Sequence, residues 1–421
     1  MKILRIFLLS FLGVLFLLPE DTTAIPAFAR KYGFNCNMCH TAFTKLNDFG
    51  QRIRDNGYQL PGQEGREKNV FETPPPIALR TTTGLVLSHS PSAKSTASGF
   101  RLNGLDLLAA GALHTNISVL MIYTPRIDEP AADFTGSANS SNPSQPGALE
   151  SASIIFSNII PGALNLRVGR FEPGYHAFSS KRSYYLMQGY EAYTFSTPNN
   201  NFVFDDNQIG VEASGHFKNG FKYAAGIVNG TGASPDNNKF RDLYANVFQT
   251  FGRGDGQSAG QRVGAFAYLG WQPTDTSLAY ISPTGEASGR NNKSFYRLGG
   301  DISTNWRTVH LMGLIMYGQD DSTLNSLSPS DKYSFAGGFS RLDWTGLANN
   351  RLVLSAMYNW VNAPCYDNGN DISAISGLVR YYLGDWTAVN VALHGEYTYR
   401  QVGHDDPYKE HNLAALIDFA F

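Results

Sequence analysis

From residue 77 to the end of the chain, apolar and polar side chains alternate in segments of about ten residues. A period of two is that of a β-strand, whose side chains point to opposite faces in turn. No apolar run in this region is long enough for a membrane-spanning helix. Sixteen alternating segments are present, at 77–89, 100–112, 114–124, 149–159, 162–172, 207–217, 221–230, 239–252, 260–272, 293–305, 308–319, 332–343, 351–362, 371–383, 387–399 and 411–421. The pattern predicts an all-β fold, a sixteen-stranded antiparallel barrel that spans a membrane.

The connections between these segments alternate in length, which supports the count. Connections after odd-numbered segments are long, at 90–99, 125–148, 173–206, 231–238, 273–292, 320–331, 363–370 and 400–410. Connections after even-numbered segments are mostly short, as at 113, 160–161, 218–220, 306–307 and 384–386. Outer-membrane barrels combine long extracellular loops with short periplasmic turns. Residues 77–421 are therefore predicted to form a porin-like barrel in the lipid of a bacterial outer membrane, with both chain termini in the periplasm.

The last strand shows the two predicted faces of the barrel most clearly. Its outward-facing positions are Leu413, Ala415, Ile417, Phe419 and Phe421. Asn412 and Asp418 face the other way, with Leu416 as the apolar exception. In a soluble protein the outward stripe would be left in water, so it favours contact with lipid. A final outward-facing Phe also looks like the C-terminal signal of bacterial outer-membrane proteins.

The first 24 residues predict a secretory signal peptide. Lys2 and Arg5 form a positive start, an apolar stretch covers 3–18, and small residues at 22–24 precede a cleavage site. The mature chain then begins near Ile25, outside the cytoplasm. The alternative, a retained membrane anchor, is disfavoured because the apolar stretch is short and ends in small polar residues.

The sequence Cys36-Asn37-Met38-Cys39-His40 has the C-x-x-C-H spacing of covalent c-type haem attachment. The chain has only 3 Cys and 9 His among 421 residues, so a chance occurrence is remote. A redox-active cysteine pair would not explain the adjacent histidine, and a zinc site would need a second pair of ligands nearby. We predict one covalent haem c, anchored by Cys36 and Cys39, with His40 as the proximal ligand of its iron.

Residues 25–71 are predicted to form a small α-helical cytochrome c domain around this motif. Apolar residues follow the motif at spacings of three, three and four, which indicates an amphipathic helix: Phe43, Leu46, Phe49 and Ile53. Asn56-Gly57 is a plausible end of that helix. A domain of this size struggles to bury a core and a haem by itself. We therefore expect it to borrow walls from the barrel as a plug in the lumen, joined to it by the proline-rich linker 72–76.

The second axial ligand of the iron is not apparent, because neither His nor Met occurs between Thr41 and Ser88. The barrel region offers the strongest candidates, which are His394, His114 and His176, and further candidates, which are His216, His310, Met187, Met312, Met316 and Met357. Two alternatives to a ligand from the barrel stay open: a five-coordinate iron, and ligation of the iron by Lys45.

Other features change the picture less. Cys365 falls in a predicted outer loop and is interpreted as an incidental thiol. Carboxylates recur in the outer loops and would either collect divalent cations or simply be solvated: Asp128, Glu129, Asp205, Asp206, Asp320, Asp321, Asp405 and Asp406. The net charge of −2 gives no sign of a nucleic-acid partner. No constellation of acid, base and nucleophile predicts catalytic residues.

Several motifs together resemble the fused outer-membrane monohaem cytochrome–porin family, whose best-known members are iron oxidases of Fe(II)-oxidising bacteria. The resemblance lies in Phe28-Ala29-Arg30, the motif at 36–40, Leu46, Gly50-Gln51-Arg52 and Gly57-Tyr58, followed by the porin-like barrel. It implies electron transfer from an extracellular donor through one haem to a periplasmic carrier, a cytochrome or a cupredoxin. Tyr32-Gly33-Phe34 differs from the Thr-Gly of the iron oxidases, which leaves the donor and the direction of electron flow open.

Three functions compete on this sequence. The first is electron transfer across the outer membrane, with extracellular Fe(II) or another metal as the partner. The second is a diffusion porin whose haem module hangs in the periplasm. The third is an enzyme, such as a peroxidase, that uses an open position on the iron, so enzymatic activity stays uncertain.

Overall fold

The computed structural model describes residues 27–34, 36–63, 65–66, 77–125, 148–234, 236–252, 261–275, 290–325, 327–328, 330–347, 350–383 and 390–420. The predicted signal peptide, the linker 72–76 and Phe421 lie outside these residues. The helices of the described part are α1 (Ala27–Tyr32), α2 (Cys36–Cys39), α3 (Asp48–Asp55) and α4 (Glu191–Thr194). No helix among the described residues is long and apolar enough to cross a membrane.

Sixteen strands form one closed antiparallel barrel. A separate short hairpin precedes them, made of β1 (His40–Ala42) and β2 (Lys45–Leu46). The barrel strands are β3 (Ile77–Ser90), β4 (Ser95–His114), β5 (Ile117–Thr124), β6 (Ala148–Ile160), β7 (Leu164–Phe171), β8 (Gln208–His216), β9 (Phe221–Val228), β10 (Asp242–Phe251), β11 (Gln261–Asp275), β12 (Arg290–Trp306), β13 (Val309–Asp320), β14 (Tyr333–Gly346), β15 (Leu352–Asn362), β16 (Ile372–Tyr382), β17 (Asn390–Val402) and β18 (Tyr408–Ala420). The predicted strand count and fold are confirmed.

The barrel closes where its last strand pairs with its first. The register runs from His411 opposite His89 to Ala420 opposite Arg80. Every other neighbouring pair is consecutive in the chain, so each strand is joined to the next by a simple connection. This is the topology expected of a barrel that leaves no strand edge unpaired. The connection predicted at 90–99 is shorter than expected, because β4 already begins at Ser95.

The barrel is apolar outside and mixed inside, as the alternation predicts. On β12 and β13 the outward side chains of Ile302 and Ile315 are 59% and 66% exposed, while their neighbours Asp301 and Leu314 are buried. On β18, Leu413 and Ile417 are exposed and Asp418 is buried. A belt of outward apolar side chains this large is stable only against a non-aqueous surround.

Two segments enter the barrel. We call residues 27–66 the plug and residues 172–207 the inner loop. The plug lies in the half of the barrel that holds the short turns: Asn350 donates to the carbonyl of Thr41, and Asn158 donates to the side chain of Asn56. The inner loop comes from the other end, since Thr197 binds Asp320 at the end of β13. The expectation of a lumenal plug agrees with this arrangement, and the long connection predicted at 173–206 enters the barrel as the inner loop.

The inner loop builds a hydrophobic core within the barrel. Its aromatic rings pack against rings that project inward from the strands. Tyr190 stacks on Phe339 with ring centroids 3.9 Å apart, and Phe204 lies 5.3 Å from Phe266. Burial of aromatic side chains on this scale stabilises a fixed loop conformation. The lumen is therefore packed here rather than lined by water.

The helix predicted over Phe43 to Ile53 is wrong in its first half. Residues 40–46 form the β1–β2 hairpin, and helix α3 begins only at Asp48. Asn47 provides the reason: its side-chain oxygen accepts a hydrogen bond from the amide of Gly50 at 2.9 Å, which is an N-cap. The predicted end of the helix at Asn56-Gly57 is confirmed, with Gly57 at a positive φ of 65°.

Candidate functional site

The C-x-x-C-H motif is held against helix α3 by one asparagine. Its first four residues form α2, and His40 opens the hairpin that follows. The backbone amide of Asn47 donates to the carbonyl of Cys39 at 2.9 Å, and its side chain donates to the carbonyl of Met38 at 2.9 Å. A Cβ atom on Gly50 would lie 2.1 Å from the carbonyl oxygen of Cys39, so only glycine permits this close approach.

A cavity of about 330 Å³ opens beside the motif, between the plug and the barrel wall. Cys39 and His40 both line it. Its other plug residues are mostly apolar and include Phe28, Phe34, Phe43, Leu46, Ile53 and Tyr58. Strands β3, β4 and β5 supply the facing wall with Ala78, Leu79, Leu108, Ala110, Leu120 and Ile122. The volume falls in the range of about 300–1,000 Å³ that is usual for small-molecule sites. The barrel therefore supplies one wall of the cavity, as expected.

His40 presents a neutral imidazole to this cavity. Burial lowers its pKa from 6.5 to about 4. The positive charge of Arg182 adds to this lowering, while hydrogen bonding to the backbone of Thr44 and Lys45 opposes it. Its Nδ1 atom is buried without a hydrogen-bond partner among the described residues. A neutral imidazole with a free lone pair is the form that binds metal ions.

Charged side chains form one rim of the cavity. Glu172, at the end of β7, accepts from Arg54 at 3.1 Å and also from Arg182 of the inner loop. On the opposite side, Arg80 donates to Asp418 at 3.1 Å. The site therefore combines an apolar wall, a thiol, an imidazole and a cationic rim. That combination suits a large apolar ligand that carries acidic groups.

A second buried cluster lies next to the motif, around Lys45. Its ammonium group contacts Nδ1 of His310 and lies 3.0 Å from Asp343, which in turn pairs with Arg341 at 2.7 Å. Burial lowers the pKa of Lys45 from 10.5 to about 8, although Asp343 opposes this shift. The cluster ties the β1–β2 hairpin to strands β13 and β14. Lys45 is therefore an anchor of the plug.

The structure does not bring the three leading distal candidates into the cavity. His394 is buried on β17, where its Nε2 lies 3.0 Å from Glu396. His114 is exposed at the end of β4. His176 lies in the inner loop and hydrogen-bonds the carbonyl of Phe204 at 2.6 Å.

The further candidates also lie elsewhere. Met312, Met316 and Met357 belong to the lumenal core, and Met187 packs near Val86. Among the described residues that line the cavity, His40 supplies the only imidazole and none supplies a thioether.

The predicted outer-loop carboxylates do not assemble into a metal site in the described part of the chain. No group of three or more His, Cys, Asp or Glu residues there is placed to hold a metal ion. Asp320 pairs instead with Arg297 inside the barrel. Cys365 lies in an exposed turn between β15 and β16, as expected.

Comparison with solved structures defines the architecture. An anion-selective porin from Comamonas acidovorans superposes with a TM-score of 0.55 at 12% identity, covering 82% of this chain and 98% of that one. The barrel has the porin fold. OprB of Pseudomonas putida gives 0.52 at 13% identity, covering 91% of this chain and 99% of that one. OmpF of Salmonella typhi, in complex with daunomycin, gives 0.55 at 10% identity, covering 82% and 97%.

The likeness to these porins is one of fold. No protein-family model and no curated protein matches the chain. The description of the Comamonas acidovorans structure names a porin, and none of the three descriptions names a cytochrome. The resemblance to the cytochrome–porin family, with its haem and its iron chemistry, therefore stays a prediction from the sequence motifs.

The residues that sequence analysis missed are those of the cationic rim. Arg54, Glu172 and Arg182 come from the plug, the end of a strand and the inner loop. They are far apart in the chain and belong to no motif. The one signal that pointed to this region was the length of the connection predicted at 173–206, which carries Arg182.

Proposed function

We propose that this chain is an outer-membrane protein that carries one covalent haem c in a plugged barrel and passes single electrons. Its partners are an extracellular donor or acceptor, Fe(II) in the first place, and a periplasmic carrier such as a cytochrome or a cupredoxin. The observation that carries the proposal is that Cys39 and His40 of the C-x-x-C-H motif line an apolar cavity inside the lumen.

The residues present fit a haem c. Cys36 and Cys39 would hold the porphyrin by thioether bonds, and His40 would hold the iron. The orphaned Nδ1 atom of His40 and the apolar rings of Phe28, Phe34 and Phe43 agree with a porphyrin neighbour. When bound, haem supplies a one-electron couple whose potential depends on ligation and burial.

The chain's own residues would insulate the haem electrically and hold the C-x-x-C-H motif in place. The apolar belt of the barrel suits an outer membrane, whose hydrocarbon core of about 30 Å blocks charge transfer. The walls of strands β3 to β5 exclude water from one side of the cavity. The Asn47 hydrogen bonds hold the motif in one orientation within the lumen. An electron carrier at this level would be sheltered from both aqueous phases.

A diffusion porin with an accessory haem module is the second candidate. The porin fold favours it, since the Comamonas acidovorans structure with this fold is described as an anion-selective porin. The packed inner loop and the plug favour the first candidate, because the lumen they occupy would otherwise be the path for solutes. The two functions predict different ion conductance and different electron transfer, so measuring both properties on one protein preparation distinguishes them.

The first test concerns the cofactor. The full chain is expressed in a host with c-type cytochrome maturation and purified in detergent, alongside C365S and the double variant C36S/C39S. Wild type and C365S should carry one covalent haem, visible on a denaturing gel, while C36S/C39S should lose it because neither thioether bond can form. C365S is the matched control, because Cys365 is exposed in a distant outer turn. A colourless wild-type barrel would refute the proposal.

The second test concerns the lumen. Liposomes that contain the haem-loaded protein enclose a redox dye, and an external reductant is added while ion conductance is measured separately. Electron transfer predicts reduction of the dye with low conductance. Open-pore conductance without reduction of a membrane-impermeant dye would instead support the diffusion porin.

A further inference from the structure

One buried carboxylate on the cavity rim is shared by two guanidinium groups. Oε2 of Glu172 lies 3.1 Å from Nη2 of Arg54 and also binds Nη2 of Arg182. The Glu172 side chain is only 7% exposed. Both arginines line the cavity together with Glu172. One negative charge therefore faces two positive charges at a site with little access to water.

The neighbouring ion pairs do not remove this imbalance. Arg167 already pairs with Glu212 at 3.7 Å, and Asp55 of the plug pairs with Lys222. His176 approaches the other oxygen of Glu172 at 3.7 Å and brings no negative charge. In this group of charges, four cations thus meet three carboxylates. A cation that has little access to water and no counter-charge costs free energy. Binding of one more anion at this rim would remove that cost.

The pKa shifts at the rim locate the positive surplus at Arg182. Burial raises the pKa of Glu172, but Arg182, the hydrogen bond to His176 and Arg54 outweigh burial and hold it well below its usual value. Burial lowers the pKa of Arg54, but Glu172, Asp55 and Glu212 outweigh burial and raise it. Burial and the neighbouring Arg54 lower the pKa of Arg182.

Arg54, Arg182 and Glu172 also line a neighbouring cavity of about 180 Å³, so an anion has access to the rim from either side. On the side of the C-x-x-C-H motif, that anion has to belong to a ligand that fits mostly apolar plug residues. A ligand that fills the cavity and carries carboxylates at one edge meets this condition, and haem has two propionate groups at one edge. We propose that Arg54 and Arg182 are positioning residues that hold a propionate of the haem, with Glu172 competing for the same guanidinium groups. This inference rests on the proposed function.

The test compares haem-loaded variants by redox titration over a range of pH. R54Q and R182Q each remove one guanidinium, and R54K keeps the charge. R52Q is the matched control, because Arg52 lies on the same helix, is 45% exposed and pairs with Asp48 away from the cavity. Barrel folding of each variant is checked by the difference in gel mobility before and after heating.

A propionate that has lost a guanidinium partner will take up protons at a higher pH. The midpoint potential of R54Q and of R182Q should therefore become dependent on pH in the neutral range, with a downward shift as the pH rises. Wild type, R54K and R52Q should show flat profiles there. The vibrational band of the propionate should also shift in R54Q and R182Q, and not in R52Q.

If the arginines act only through their charge, their loss should lower the midpoint potential of the haem equally at every pH, because the oxidised haem is favoured. A uniform shift of this kind in folded, haem-bearing R54Q and R182Q, without a new pH dependence, would overturn the inference alone. Should R54Q fail to fold, R182Q carries the same test from the inner loop. A wild-type chain without covalent haem would refute the proposed function and this inference together.

Discussion

Replacing Asp55 with alanine should loosen the plug from the barrel wall. The Asp55 carboxylate, at the end of α3, binds the ammonium of Lys222 on β9 and lies 3.9 Å from Nδ1 of His216. The side chains of Asp55 and Lys222 are only 11% and 13% exposed, so water screens the pair weakly. The pair joins the end of the plug helix directly to the wall.

The size of the effect follows from the carboxyl group. Burial raises the pKa of Asp55, yet Lys222 and Arg54 outweigh burial and lower it from 3.8 to about 2. At about 1.4 kcal/mol per pKa unit, this corresponds to about 2 kcal/mol in favour of the docked plug. D55A also leaves Lys222 buried without its partner, so the total loss is about 3 kcal/mol. The population of the undocked plug should then rise about a hundredfold.

Single-channel recording in planar bilayers measures this population as the fraction of time spent in a high-conductance state. D55A should increase that fraction, and D55A with K222M should restore it in part, because no uncompensated lysine then remains. D48A is the matched control on the same helix, since Asp48 pairs with the half-exposed Arg52 at 2.9 Å. Equal open fractions for D55A and D48A would refute the idea that the plug is held by this pair.

Three further predictions concern the docking of the plug and the packing of the inner loop. Because the pKa of Asp55 is lowered from 3.8 to about 2, docking should be strong above pH 3.8 and weaken as the pH falls through 2, and D55N should abolish this conductance step. E396Q should speed hydrogen exchange of the amides of Leu186 and Gln188, which donate to the Glu396 carboxylate at 2.8 Å and 2.7 Å; unchanged rates would contradict its role as an anchor. Y190A should cost about 3–5 kcal/mol and expose the inner loop to protease, because the ring stacked on Phe339 is lost; full resistance would contradict a packed lumen.

The strands were predictable because a barrel strand is specified locally. Most outward-facing positions are apolar whatever lies across the lumen, so a period of two appears in the segments between Ile77 and Ala420. The N-cap at Asn47 was also local, and the prediction of a longer helix failed because it weighed apolar spacing above capping. The C-x-x-C-H motif was found for a similar reason, since its chemistry depends on residues adjacent in the chain.

The contacts inside the barrel were not predictable in this way, because they join residues that are far apart in sequence. The sequence by itself determined the barrel, its strand order and the C-x-x-C-H motif. Only the tertiary structure decided that the plug and the inner loop meet in the lumen, and that Arg54, Glu172 and Arg182 converge on one cavity. The physical reason is that an inward side chain tolerates either water or a protein partner. Its identity therefore does not reveal which of the two it meets.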